Sequence, residues 1–168
     1  AGLHECAKVA LLLRERLDTL GLELYPVTSG SKGMQLYAAL GGDLTSDHRY
    51  LLLNDELDES QFGHNAKTLV WDVSDLDLPV LVGAHTHALG VIDHNLYVHD
   101  NHAYESNYES VFRVLRIDNL SQAQLTEIAY FDTYPAGNAP EFNGNWNNYR
   151  SPGSGLVIAG DGRTHFVD

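Results

Sequence analysis

Cysteine is nearly absent from this chain. Cys6 is the only one in 168 residues, so no intrachain disulfide can form. It lies in a helical pattern, where a small buried apolar role suits it better than that of a nucleophile. Long apolar runs are missing too. No stretch reaches the roughly 18 residues that a membrane-spanning helix needs. Basic residues are scarce: ten Lys/Arg stand against 23 Asp/Glu, for a net charge of −13 and a pI near 4.9. A surface that acidic repels nucleic acid and anionic membranes unless a basic patch is segregated. The chain opens at Ala1 with neither Met nor a signal-like segment, so we expect a processed start or a piece of a longer gene.

What is present is unevenly spread. Residues 1–43 hold four Lys/Arg and five Asp/Glu, so the rest of the chain carries −12 of the total charge. Eight of the nine His and fourteen of the sixteen aromatics also lie beyond residue 43. This composition break places a boundary at Gly41-Gly42-Asp43, with segments 1–43 and 44–168.

The first segment reads as an amphipathic helix over Leu3–Leu20, with apolar residues at Leu3, Cys6, Ala7, Ala10, Leu13 and Leu17. Gly21 is its natural stop. Two strand-like runs follow, Glu23–Val27 and Met34–Leu40, joined by a loop. Beyond Gly42 the helical period vanishes. Ten short β-rich runs follow, separated by Asp, Asn, Gly, Pro and Ser, which indicates an antiparallel meander. No long helical segment intervenes, which argues against a parallel sheet. Thr68–Thr86 and Val111–Thr133 share a plan: a strand, an Asp (Asp72, Asp118), a polar link and a second strand. A four-strand unit repeating at about 40–50 residues is the period of propeller blades.

Two stretches carry resemblances. "GHNAKTLVWDVSDLDLPVLVG", "IDHNLYV", "NYESVFRVLRID" and "FNGNWNNYRSPGSGLVI" are similar to the C-terminal part of the LVIVD-repeat propellers of the choice-of-anchor B family. That resemblance spans residues 44–168. It implies a secreted or surface-displayed β-propeller and no defined activity. "ECAKVALLLRERLDTLGLELYPVTSGSKGMQLYAAL", within residues 1–43, resembles the primase-type polymerase domain of bacterial DNA ligase D. It implies that Ser29, Ser31 and Lys32 help position nucleotide phosphates, with Gln35 where that family often has a triphosphate-contacting His. The family's acidic metal pair would precede Ala1, and a further catalytic Asp falls in the part this chain replaces. Without two cations nucleotidyl transfer has little to stabilise its charge. The two stretches look like parts of unrelated proteins joined near Gly42, as in a fusion or chimera.

Other candidate chemistry lies in the second segment. His85 and His87 share a strand face at i and i+2, and His94 or Asp93 can complete a site for zinc or a similar divalent metal. The competing reading is that these histidines hydrogen-bond at blade edges. His48, His64 and His94 each adjoin Asp or Asn, which suits either a lined propeller face or simple turn chemistry. His99 and His102 flank a hairpin turn. "NDELDES", with Asp55, Glu56, Asp58 and Glu59, lacks the Gly and closing Glu of an EF-hand and reads as a solvated acidic loop. Trp71, Trp146, Tyr134 and Tyr149 suit inter-blade core, or a carbohydrate or peptide platform.

The expected fold is therefore mainly β: a partial β-propeller of about two and a half four-stranded antiparallel blades, with an N-terminal α-helix and β-hairpin. The second segment is expected to open and close mid-blade, and the exposed β-edges to drive self-association. The leading function is a non-enzymatic, extracellular-type binding or structural module with an unidentified ligand. The alternatives are a nucleotide-binding remnant of a DNA-repair polymerase, which would be cytoplasmic, and a metallohydrolase using His85, His87 and His94.

Overall fold

The computed structural model describes residues 3–18, 24–28, 34–38, 41–151, 155–161 and 164–167. The chain divides into two compact units, residues 1–40 and 41–168.

In the first unit, helix α1 spans Leu3–Asp18. Ala10 is buried, while Val9, Leu11, Leu12 and Leu13 are exposed. Of the apolar positions expected to form the inner stripe, Ala10 is thus covered and Leu13 is not. Strands β1 (Leu24–Thr28) and β2 (Met34–Ala38) form an antiparallel hairpin in which Thr28 pairs with Met34.

The second unit is mainly β, as the turn-punctuated pattern predicts. Its first sheet runs in chain order through β3 (Gly41–Leu44), β4 (Tyr50–Asn54), β5 (Lys67–Asp72) and β6 (Val80–Thr86). The second contains β7 (Asn95–His99), β8 (His102–Ser106), β9 (Phe112–Asn119) and β10 (Gln124–Phe131), again as sequential neighbours. The third has three strands, β11 (Asn147–Arg150), β12 (Val157–Gly160) and β13 (Thr164–Val167). All pairings are antiparallel. No closed sheet is formed among the described residues.

Two elements differ from the sequence expectation. The Gly41-Gly42-Asp43 stretch is itself strand: with Leu44 it forms β3, pairing with Leu51–Asn54. The first sheet therefore has four strands, its first one beginning before Leu44; glycine-rich composition hid that strand because Gly has low β-propensity. The acidic loop contains a short helix, α2 (Asp58–Phe62), which ends at Gly63 in a left-handed conformation (φ 69°) that donates its N–H to the Glu59 carbonyl at 3.0 Å.

The sheets pack face to face, and strand alternation decides which side chains meet. Tyr50, Leu52 and Val70 from the first sheet join Leu96, Ala103, Leu115 and Leu125 from the second in one core. On the opposite face of the second sheet, Phe112 packs with Val157 and Ala159 of the third, flanked by Tyr104 and Val114. Residues 103–105 show the alternation: Ala103 and Glu105 face the first sheet, and Tyr104 faces the third. Burying a Leu or Phe side chain of this kind contributes about 1.5–3 kcal/mol.

Candidate functional site

Polar side chains converge at one end of the first two sheets. There β4 and β8 finish, β5, β7 and β9 begin, and β6 runs out into the link before β7. The alternation that brings Leu52 into the core also buries Asn54. After it the chain turns sharply: Glu56 adopts φ 26°, a region unfavourable to non-glycine residues. The link before β7 buries Val91 and Ile92 completely, and this apolar anchor carries Asp93 inside with them.

Four carboxylates meet at this place. Each of Asp55, Asp58, Glu59 and Asp93 offers an oxygen lying within 4.8 Å of the others. Asp93 is fully buried and accepts two backbone N–H groups, from Glu56 at 3.1 Å and Lys67 at 3.0 Å. Asp58 lies near His64 Nδ1 at 3.4 Å and Lys67 Nζ at 3.5 Å, with its other oxygen buried and unpartnered. Glu59 is 2 % exposed, and neither of its oxygens meets a donor.

Electrostatics follow from this packing. Burial, then hydrogen bonding with Asp58 and the charge of Asp93, pushes the Glu59 carboxyl up to about 9. Burial pushes Asp93 up to about 7 against the pull of the Lys67 amide. Burial and neighbouring Asp58 push Asp55 up to about 6. For Asp58, burial opposes ionisation, but hydrogen bonds with Glu59, Asp55 and His64, and the charge of Lys67, hold it below the usual range. Ionised carboxylates cannot donate to one another. A Glu59–Asp58 hydrogen bond therefore requires a proton on one of them, and a shared cation is the other way to satisfy these oxygens.

A second polar cluster lies inside the sheet interface. Glu105, fully buried on β8, accepts the Thr68 hydroxyl at 2.6 Å and the Asn107 amide at 3.2 Å, and pairs with His87 Nε2 at 3.1 Å. Burial opposes the charged His87 ring, but the Glu105 charge and hydrogen bond outweigh it and raise the ring's pKa. Burial likewise opposes the Glu105 anion, and His87, Thr68 and Asn107 overcome it to lower the carboxyl's pKa. His85 lies beside His87, ring centroids 4.9 Å apart. Burial and then the His87 charge lower the pKa of His85.

The three histidines expected to share a metal do not converge. His85 and His87 meet, but His94 is held by Glu56 at 2.7 Å and packs on Tyr108. Among the described residues, the group of three or more ligand atoms that can share one ion is carboxylate and contains no histidine. The expected solvated acidic loop is likewise corrected: Glu59 is inside, and Asp93, reached from 34 residues further along the chain, completes the cluster. Ser29, Ser31 and Lys32 of the expected phosphate loop lie outside the described residues. Gln35 sits in β2 opposite Val27, with its side chain outside the description.

Residues 1–54 match the LigD primase-polymerase domain. The match covers the first unit and continues through β3 and β4, and the N-terminal part of the chain is similar to that family. All four clustered carboxylates lie beyond it. No curated protein and no solved structure matches the chain. No helix among the described residues is long and apolar enough to cross a membrane.

Proposed function

We propose that the chain is a non-enzymatic binding or structural module, a part of a β-propeller of the secreted or surface-displayed LVIVD, choice-of-anchor B type. The observation that carries this reading is how consecutive sheets meet. Their first strands lie side by side, with β7 next to both β3 and β11. Polar links join them: Asp43 accepts the Val98 N–H at 2.8 Å, and the Asn95 amide donates to Asn147 at 3.2 Å. Sheets arranged in chain order and joined at their first strands are the construction of propeller blades.

A partial ring leaves apolar surface. On the face of the first sheet opposite Leu52 and Val70, Leu51 pairs with Trp71 and Leu53 with Leu69, all four half-buried. The edge strand β10 exposes Ile128, Tyr130 and Phe131. Such surfaces drive association, and further blades from a second copy or a continuing chain suit them. Static light scattering over a concentration series tests this. Mass should rise with concentration, and Leu51→Lys with Leu69→Glu should hold it at the monomer value. A wild-type protein that stays monomeric at high concentration refutes the reading.

The match over residues 1–54 favours a second reading, a nucleotide-binding remnant of a LigD polymerase domain. Fluorescent ribonucleotide binding that is lost on Lys32→Ala supports it. Binding unchanged by that substitution, or none, leaves the module reading.

A further inference from the structure

We propose that Asp55, Asp58, Glu59 and Asp93 form a site for a hard, oxygen-ligated divalent cation that ties the β4–β5 connection to the segment entering β7. The oxygens come from two chain segments and lie within 4.8 Å of one another, the span of two ligands across one ion at about 2.4 Å. The donors are all carboxylate oxygens, which select Ca²⁺, Mg²⁺ or Mn²⁺ over the nitrogen- and sulfur-seeking metals. A cluster of acids alone would not establish a site. The second observation is Glu59: it is 98 % buried, aimed into the cluster, and both oxygens lack a donor. Ionising a buried carboxyl that no donor meets is costly, and a cation in contact with it removes that cost.

The surroundings hold the ligands in place. Asp93 is fixed by two backbone N–H groups, so its position does not depend on the metal. Lys67 near Asp58 supplies one positive charge against four carboxylates. A divalent ion displaces the protons these carboxyls otherwise hold and neutralises the negative charge that ionisation leaves. His64, near Asp58, and His94, held by Glu56, border the cluster without joining it.

The test is isothermal titration of the EDTA-stripped full chain with CaCl₂, MgCl₂ and ZnCl₂ at about pH 7.5, alongside thermal unfolding followed by tryptophan fluorescence. One equivalent of Ca²⁺ or Mg²⁺ should bind with a Kd at or below about 1 mM, the weak end for calcium modules. Glu59→Gln should bind at least about tenfold more weakly, yet unfold in EDTA at no lower temperature than wild type, because the amide has the shape of the uncharged carboxyl it replaces. Should Glu59→Gln fail to fold, Asp55→Asn decides, since Asp55 is exposed; it should also weaken binding. His85→Ala should leave Ca²⁺ binding unchanged. Absence of Ca²⁺ and Mg²⁺ binding at several millimolar, or equal affinity in wild type and the carboxylate variant, overturns the proposal and leaves a shared proton as the occupant. Zn²⁺ binding lost on His85→Ala, without Ca²⁺ or Mg²⁺ binding, overturns it too.

Discussion

Replacing Glu105 with glutamine tests whether a charged pair holds the first two sheets together. The Glu105 side chain is fully buried on β8 and meets Thr68 on β5, Asn107, and His87 just after β6. Glutamine keeps the shape and an acceptor for the Thr68 hydroxyl but removes the charge. Charge-assisted hydrogen bonds contribute about 1.5–3 kcal/mol each and neutral ones about 0.5–1.5. Where His87 is neutral, the new amide can donate to its ring, and the loss should be about 1 kcal/mol. Where His87 would be protonated, the ring loses its counter-charge inside the protein. The cost should then approach the 3–5 kcal/mol of a broken buried pair. The sign follows from both partners. The raised pKa of His87 contributes stability fully present below its ordinary 6.5 and lost as pH rises through the folded value. The lowered pKa of Glu105 contributes stability present above its ordinary 4.5 and lost as pH falls through the folded value. Both contributions therefore coexist between 4.5 and 6.5. Arg113 opposes the His87 charge, Asp93 favours it, and neighbouring His85 is itself held neutral more readily. Urea unfolding reads this directly, because both tryptophans, Trp71 and Trp146, lie in the second unit. The Glu105→Gln variant should lose about 3 kcal/mol at pH 5.5, and the loss should shrink toward about 1 kcal/mol as pH rises through the folded pKa of His87. A loss below about 0.5 kcal/mol at pH 5.5, or a loss that grows as pH rises, would refute a charged pair.

Other substitutions probe the frame around the site. Gly144 has φ 84°, and a Cβ there would lie 2.6 Å from the Tyr108 carbonyl oxygen; Gly144→Ala should cost about 1–3 kcal/mol in urea unfolding. Phe112→Ala should remove the centre of the packing between the second and third sheets and cost about 3–5 kcal/mol, seen as a lower midpoint with an unchanged slope. Primer extension with Mn²⁺ and ribonucleotides should give no template-dependent product; a product abolished by Lys32→Ala would contradict the non-enzymatic reading.

Much of the second unit was legible because strands announce themselves locally. Alternation and turn residues mark β4 to β13 within a residue or two at most ends. The duplicated hairpin plan is real: Thr68–Thr86 and Val111–Thr133 hold β5–β6 and β9–β10, the third and fourth strands of successive sheets. Its details shift by one residue. Asp72 accepts the Ser74 backbone N–H and hydroxyl, whereas in the second copy Asn119 does so for Ser121, and Asp118 instead takes Arg116 and Thr126. Matching the two stretches by residue identity pairs the aspartates; the turn pairs residues by distance to the following serine.

The candidate site was only half legible, for a physical reason. A local pattern such as His85-x-His87 shows which side chains share a face, but not what the facing sheet presents. Here it presents Glu105, and His87 Nε2 is taken up as its partner. One signal was readable: Glu105 stands two residues from Ala103 on a strand, so a core-facing Ala implies a core-facing carboxylate that needs a cation or a donor. The carboxylate cluster gave no such signal, because its closure depends on Asp93 being drawn inside by Val91 and Ile92. Acidic residues clustered in sequence are usually solvated. What makes this group different is the combination of an apolar anchor on one side and a helix that turns Glu59 inward on the other. Weakening that anchor should therefore act on the carboxylates at a distance. Ile92→Ala keeps every ligand but frees the segment carrying Asp93, at a stability cost of about 2–5 kcal/mol. If the anchor argument holds, Ca²⁺ affinity falls in that variant while the equally buried but remote Leu115→Ala leaves it unchanged. Equal Ca²⁺ affinities in the two variants would show that Asp93 is positioned by its backbone hydrogen bonds alone.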